Sequence, residues 1–134
     1  MADFNRGQTF FDLSATNLQG TKGKYFIAMS NAEDEDDLIV CFLMNTEHRM
    51  DKYHLHCNKE SQRFIIAPST FSFISVHTSI ILVKEVFYQF YELFQDNIKL
   101  LDSASETLTR QIKNCIDWNF ITPKAARLIK ESFN

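Results

Sequence analysis

The distribution of apolar and polar residues changes character at about residue 86. Before that point the apolar, aromatic and β-branched residues form short runs separated by polar loops, a pattern typical of strands. Six such runs cover residues 9–13, 24–30, 37–44, 53–57, 63–67 and 79–83. They predict a small barrel or a curled antiparallel sheet over about residues 6–85.

Beyond residue 86 the apolar residues recur every three or four positions, which predicts helices. The first predicted helix covers residues 87–98, and its apolar stripe consists of Phe87, Phe90, Tyr91, Phe94 and Ile98. Strands followed by helices predict an α+β fold. A length of 134 residues predicts a single domain, residues 1–134.

Helix-capping residues mark two further helices. Ser103 with Glu106 three residues later has the form of a capping box, which predicts a helix over residues 103–117. Thr122 before Pro123 is typical of an N-cap followed by the first helical residue. A terminal helix over residues 123–133 is therefore predicted.

Composition and charge limit the classes of function. The chain has 14 Lys and Arg residues against 17 Asp and Glu residues, for a formal net charge of -3. A non-specific nucleic-acid binder usually carries a basic excess, so any nucleic-acid site here is expected to be local. The 13 Phe residues predict a strongly aromatic core.

The cysteines and the apolar segments indicate the cellular compartment of the protein. Cys41, Cys57 and Cys115 form an odd, widely spaced set, which predicts reduced thiols in a cytoplasmic protein. The first twelve residues mix charges with apolar residues and do not resemble a signal peptide. Residues 64–83 lack fixed charge, but Pro68 and repeated Ser and Thr favour buried strands over a membrane span.

Three polar patterns are interpreted as structural. Residues 20–24 lack the Gly and hydroxyl positions of a phosphate loop, and the acidic run 33–37 is expected to be a solvated loop. His54, His56 and Cys57 are ligand types, but no second pair stands at zinc spacing. No metal and no cofactor are therefore expected.

Polar residues gather where two predicted strands begin or end. Metal-free RNA cleavage needs a base, an acid, and cations or hydroxyl donors for the charged phosphorane. Lys24, Thr46, His48 and Arg49 are the predicted catalytic residues on this argument, while an ordinary polar turn with an exposed histidine remains the alternative. Further polar candidates for RNA binding are Lys22, Ser30, Asn45 and His77.

The order of these segments resembles the PemK/MazF family of bacterial toxins, which are small cytoplasmic endoribonucleases. Arg6-Gly7-Gln8 and the apolar run after it are similar to the family's opening segment and first strand. Residues 20–24 resemble its glycine-containing loop, and residues 24–30 its Arg-Pro strand that ends in Ser, with Lys24 and Tyr25 in place of Arg and Pro. Residues 38–46, 69–80 and the helices after residue 86 are similar to its later segments.

The resemblance implies an SH3-like barrel with appended helices and a homodimer. It also implies cleavage of single-stranded RNA without a metal ion and neutralisation by a cognate antitoxin. Lys24 then takes the place of the Arg that stabilises the transition state, and Thr46 the place of the functional Thr if a gap is allowed. A gapless pairing puts Met44 there instead.

Two alternative functions remain open from the sequence. One is a catalytically inactive module that binds RNA or a protein on the same fold, an alternative favoured by the acidic balance and by Lys at the family's Arg position. The other is a scaffolding domain that buries the aromatic stripe of residues 87–98 against a partner. Cleavage of RNA in EDTA distinguishes the leading hypothesis from both.

Overall fold

The computed structural model describes residues 4–16 and 22–133, and for Thr16 and Lys22 the backbone alone. Its strands are β1 (Gln8–Thr16), β2 (Lys22–Ala28), β3 (Leu38–Thr46), β4 (His56–Asn58), β5 (Arg63–Ile66), β6 (Thr78–Ile81), β7 (Val86–Gln89) and β8 (Ile98–Ser103). Its α-helices are α1 (Glu106–Cys115) and α2 (Pro123–Ser132), and short 3-10 helices cover Lys59–Ser61, Phe90–Phe94 and Trp118–Phe120.

The eight strands form one antiparallel sheet, which confirms the α+β class. The strand order is β4-β5-β6-β3-β2-β1-β8, and β7 pairs with the first half of β3. Within the described residues no pairing joins the outer strands β4 and β8, so the sheet is not closed and a barrel is not confirmed. The sheet also extends beyond the predicted limit near residue 85, because β7 and β8 belong to it.

The predicted helix over residues 87–98 is wrong. Phe87 and Tyr88 lie in β7 and pair with Val40 and Ile39 of β3. Phe87 packs against the core beneath the helices, whereas Tyr88 packs against the core on the other face of the sheet. Consecutive residues that face opposite sides are a property of strands. The spacing of three and four arises because this strand runs into the 3-10 helix Phe90–Phe94.

The sheet has a core on each face. The helix-side core contains Ile27, Phe42 and Ile80 of the sheet together with Ile112 of α1 and Ile129 of α2. The second core is formed mainly by aromatic and small residues from the amino-terminal segment, β1, β2, β3 and the 3-10 helix after β7: Phe4, Phe10, Phe26, Ala28, Ile39, Cys41, Phe90 and Leu93. Strands buried on both faces explain the nearly continuous apolar runs of the sequence.

The two α-helices begin at side-chain caps. In α2 the Thr122 hydroxyl accepts the amide N–H of Ala125 and Pro123 is the first helical residue, which confirms the predicted start. In α1 the cap is Ser105, whose hydroxyl accepts the amide N–H of Leu108, whereas Ser103 ends β8. No described helix is long and apolar enough to cross a membrane.

The expectation that all three cysteines are reduced is wrong. Cys57 of β4 and Cys115 of α1 form a disulfide across a sequence separation of 58 residues. The sequence spacing could not show this pairing, because it depends on α1 packing against the β4 edge of the sheet. Cys41 is a free, fully buried thiol, and its burial raises the pKa of the thiol well above its usual value.

Candidate nucleic-acid interface

A groove lined by basic and aromatic side chains lies at the β4 edge of the sheet. It consists of two open clefts of about 350 Å³ each, and Lys59 lines both. One cleft lies in the segment between β3 and β5, and the other at the carboxyl end of α1. The side chains that give this basic groove its character are Lys52, Tyr53, His54, Lys59, Lys113 and Trp118.

Three lysines line the basic groove against two carboxylates, Glu60 and Asp117. None of the ion pairs found among the described residues involves a lysine. The Arg63 guanidinium lies 5.3 Å from the centre of the Tyr53 ring, and the Lys130 ammonium lies 4.7 Å from the centre of the Trp118 ring. Each cleft therefore holds an aromatic ring accompanied by a cation, which is the composition of a site for an anionic ligand with flat rings.

The first cleft is shaped by local hydrogen bonds within residues 47–62. The Asn58 side chain accepts the amide N–H of His54 at 3.1 Å and donates to the His54 carbonyl at 2.8 Å. These two bonds close a compact loop that carries Tyr53 and His54. Asn is well suited to this position because its amide both donates to and accepts from nearby backbone.

Two polar side chains attach this loop to the carboxyl end of α1. The Lys59 ammonium donates to the carbonyls of Asn114 at 3.4 Å and Ile116 at 3.2 Å, where a cation also complements the helix dipole. The Gln62 side chain, 2% exposed, donates to the Cys115 carbonyl at 2.9 Å. The same amide accepts the N–H of Asp117 at 2.7 Å. With the disulfide, these bonds hold the two clefts in a fixed relation.

A carboxylate paired with a guanidinium borders the basic groove next to Tyr53. The Arg63 Nη1 donates to Glu47 Oε1 at 3.2 Å, and the Ser79 hydroxyl donates to the same oxygen at 3.3 Å. The Glu47 side chain is 6% exposed and that of Arg63 is 34% exposed. This Glu47–Arg63 pair links the ends of β3, β5 and β6.

The structure separates two of the predicted catalytic residues. Tyr25 of β2 pairs with Met44 of β3, and both pack against the helix-side core. Lys24 precedes Tyr25 and Asn45 follows Met44, so both lie on the opposite face of the sheet. Thr46 shares the helix-side face with Met44. Lys24 and Thr46 thus lie on opposite faces of the sheet and do not form one catalytic cluster.

The other two predicted catalytic residues are exposed beyond the end of β3. His48 has no hydrogen-bond partner among the described residues. Arg49 donates to both carboxylate oxygens of Asp51 at 3.2 Å, and this contact lowers the pKa of the Asp51 carboxyl. The guanidinium of Arg49 is thus already engaged by a carboxylate.

The predicted RNA-binding residues are also dispersed. Ser30 is fully buried, and its hydroxyl accepts the amide N–H of Val40, a bond that joins the end of β2 to β3. Asn45 is exposed, and His77 is half-buried with its carbonyl bound to the amide of Glu47. The side chain of Lys22, with Gly20 and Thr21 of the glycine-containing segment, lies outside the described residues.

A smaller cleft of about 130 Å³ lies on the helix-side face beside Thr46 and Thr78. It adjoins a cluster of aromatic rings. The centre of the Tyr25 ring lies 4.9 Å from that of Phe73, on which it stacks, and 4.8 Å from that of Phe11, to which it is tilted. The Phe11 ring covers Gly23, so closely that an added Cβ would lie 2.0 Å from its nearest atom. No basic side chain lines this cleft. These rings serve mainly to cover the glycine and the edge of the core.

A buried carboxylate elsewhere has a structural explanation. Asp12, 5% exposed, loses solvation on burial, but hydrogen bonds from Tyr88, Ser14 and Asn97 outweigh that loss and lower the pKa of its carboxyl. Burial, followed by the same bond to Asp12, raises the pKa of Tyr88. This network ties β1 to β7 and to the turn before β8.

Neither the basic groove nor the Glu47–Arg63 pair was among the sites predicted from the sequence. The run from Lys52 to Lys59, rich in Lys, His and Tyr, was a signal for the first cleft. Lys113 and Trp118 join it only through the packing of α1, which spacing does not reveal. Glu47 follows a strand that ends with Thr46, but its partner Arg63 comes from a different strand.

Within the described residues no group of three or more His, Cys, Asp or Glu side chains is arranged to hold a metal ion. Comparison with known proteins finds no matching family model, no matching curated protein and no matching solved structure.

Proposed function

We propose that the protein binds single-stranded RNA in the basic groove. The observation that carries this proposal is the pairing of an aromatic ring with a cation in each of the two clefts joined at Lys59. Proteins bind single strands by stacking bases on aromatic side chains while cations follow the phosphates. The chain's net charge of -3 is compatible with this, because a local site suffices and three lysines line the groove against two carboxylates, Glu60 and Asp117.

Single-stranded RNA suits the groove better than a duplex does. The rings of Tyr53 and Trp118 are half-buried at the walls of the clefts, so a base must leave its helical stack to reach them. Two separate clefts joined through one lysine accommodate two bases with a phosphate between them. The backbone then contacts Lys59, with Lys52 and Lys113 on either side.

Endoribonuclease activity of the MazF type is the second candidate function, because the Glu47–Arg63 pair borders the same groove. The proposal then includes the other properties that the resemblance implies. These are an SH3-like barrel topology, a homodimer and a cognate antitoxin. A cytoplasmic location is not included, because the disulfide between Cys57 and Cys115 removes the reduced thiols on which it was based. The catalytically inactive RNA-binding module is what remains if no RNA is cleaved.

Substitution of both stacking rings tests RNA binding. Tyr53→Leu with Trp118→Leu is expected to weaken binding of a fluorescently labelled 12-nucleotide RNA by about 30-fold or more, since each stacked base contributes roughly 1–3 kcal/mol. Fluorescence anisotropy measures the Kd, and thermal unfolding checks that the variant is folded. The matched control is Tyr91→Leu, which alters an exposed ring outside the groove and leaves the Kd within twofold. Equal Kd values for the wild type and the double variant contradict the proposal.

A further inference from the structure

The Glu47–Arg63 pair combines a carboxylate and a guanidinium at the border of the basic groove. We propose that this pair is the catalytic centre of an RNA transesterification, in which Glu47 is the general base, Arg63 binds the scissile phosphate and His77 is the general acid. This assignment rests on the RNA binding proposed above, and it replaces the dispersed set of Lys24, Thr46, His48 and Arg49.

The two oxygens of the Glu47 carboxylate have different surroundings. Oε1 accepts hydrogen bonds from Arg63 at 3.2 Å and from Ser79 at 3.3 Å, which fix the orientation of the side chain. Oε2 accepts no hydrogen bond from the residues that the structure describes. A carboxylate held by one oxygen with the other free is suited to accept a proton from a hydroxyl group.

Arg63 connects this carboxylate to the RNA site. A guanidinium has five N–H donors, and the structure gives one of them, on Nη1, to Glu47. The remaining donors make no bond to the described residues, and the side chain is 34% exposed. The guanidinium lies over one face of the Tyr53 ring, 5.3 Å from its centre, so a base stacks on the opposite face. The phosphate assigned to Arg63 is the one at the border of the groove, where the free guanidinium donors are partly exposed.

His77 is joined to Glu47 just beyond the end of the sheet. The Glu47 amide donates to the His77 carbonyl at 2.9 Å, next to Thr46 and Thr78, the last pair of β3 and β6. Directly opposite residues of an antiparallel pair have Cβ atoms about 5 Å apart on one face. Imidazole is the side chain best suited to give a proton near neutral pH.

The proposed step is a proton-balanced displacement at phosphorus. Glu47 removes the proton of the ribose 2'-hydroxyl, and the 2'-oxygen forms a bond to the adjacent phosphorus. The bond from phosphorus to the 5'-oxygen breaks, and that oxygen takes a proton from the His77 imidazolium. Arg63 stabilises the charge that develops on the phosphorane. The products are a 2',3'-cyclic phosphate and a 5'-hydroxyl end.

Glu47→Gln tests the base, because the amide oxygen can keep the bonds to Arg63 and Ser79 while the proton acceptor is lost. Cleavage of labelled single-stranded RNA in EDTA is expected to fall about 100-fold or more, with the Kd for RNA unchanged within twofold. RNA with a 2'-deoxy group at the cleaved nucleotide is expected to bind and to remain intact. Glu131→Gln, an exposed carboxylate on α2, is the matched control and cleaves normally.

The outcomes distinguish this assignment from the binding function. Wild-type protein that binds RNA but does not cleave it overturns the catalytic assignment and leaves RNA binding standing. If the wild-type protein does not bind RNA, both the catalytic assignment and the RNA-binding function are refuted. Cleavage retained by Glu47→Gln also overturns the assignment. If that variant proves unfolded by its thermal transition, Arg63→Lys decides, since it keeps the charge next to Glu47 and is expected to lose at least tenfold in cleavage.

Discussion

The basic groove has a counterpart of opposite charge elsewhere on the molecule. A cleft of about 330 Å³ between the β2–β3 loop and α2 is lined by Glu33, Asp37 and Glu131 and by no Lys, Arg or His. This acidic cleft is similar in size to each of the two clefts of the basic groove. Three lysines and a histidine line the basic groove, together with two carboxylates, Glu60 and Asp117. The net charge of -3 describes the whole chain and hides this difference. A polyanion is attracted to the basic groove and repelled by the acidic cleft.

The two clefts also differ in how they are held together. The acidic cleft is closed by hydrogen bonds, in which the Asn31 amide donates to the Ser132 hydroxyl at 2.8 Å and the Asn31 side chain to the Ser132 carbonyl at 3.3 Å. The basic groove has a covalent link as well, the disulfide between Cys57 and Cys115. The surface proposed to bind RNA is thus the more firmly fixed of the two, which limits the entropy lost on binding.

Among changes that test the difference between the two clefts, removal of the disulfide is expected to have the largest effect on stability. Cys57→Ala with Cys115→Ala is expected to lower the free energy of unfolding by about 4 kcal/mol, the usual value for a loop of this length. RNA affinity is expected to fall about tenfold, because the clefts are no longer held in a fixed relation. Urea unfolding and anisotropy measure the two effects.

The wild type in a reducing agent provides the companion measurement. It is expected to lose the same stability, whereas the double variant does not respond to the reductant. Cys41→Ala keeps the bridge and is expected to respond to the reductant as the wild type does. An unfolding midpoint that is the same with and without reductant would show that the bridge does not stabilise the groove.

Charge reversal gives the next largest effect and tests the charge difference directly. Lys52→Glu with Lys113→Glu is expected to weaken RNA binding about 100-fold at low salt, since two phosphate contacts become repulsive. The matched control is Glu33→Lys with Glu131→Lys in the acidic cleft, which leaves the Kd within about threefold. If the two double variants lose RNA affinity equally, net charge rather than the basic groove controls binding.

The smallest expected effect concerns the acidic cleft alone. The Asp37 carboxylate accepts the amide N–H groups of Glu33 and Asp34, both at 3.0 Å, and these bonds lower the pKa of Asp37. A lowered pKa in the folded state contributes stability above the unfolded pKa of about 4, and this is lost as the pH falls through the folded value.

Asp37→Asn is therefore expected to reduce the free energy of unfolding by about 0.5 kcal/mol at pH 7, a value kept small by solvent screening. The difference from the wild type disappears at a pH below the lowered pKa. Urea unfolding at pH 7 and at pH 2.5 measures it. RNA affinity at pH 7 stays unchanged, and a clear change there would contradict the separation of the two clefts.

The sequence predicted the α+β class and five of the first six strands because strand patterning is a local property. The predicted strand over residues 53–57 is wrong in its first part, since β4 covers His56–Asn58 and residues 53–55 belong to the loop before it. It failed at residues 87–98, where a strand followed by a 3-10 helix imitates helical spacing. Pairing of Phe87 and Tyr88 with β3 decides the structure there, and pairing over such a distance leaves no local signal.

The candidate site was less predictable than the fold. Lys24 and Thr46 were predicted because they lie near strand ends, but the faces they occupy depend on the register of β2 against β3. A shift of one residue in that register reverses the face. The disulfide and the Lys59 contacts with α1 join segments more than 50 residues apart. The basic groove is consequently a product of tertiary packing, although the run from Lys52 to Lys59 carried part of its signal.

Photocrosslinking tests the central claim most directly. A single-stranded RNA that contains 4-thiouridine would be irradiated with the wild-type protein, and the crosslinked peptides identified by mass spectrometry. Crosslinks at residues 52–61 and 113–118 are the predicted result, with Tyr53 and Trp118 as the main sites. Crosslinks confined to residues 31–38 and 128–132, or to the rings beside Thr46, would contradict RNA binding in the basic groove.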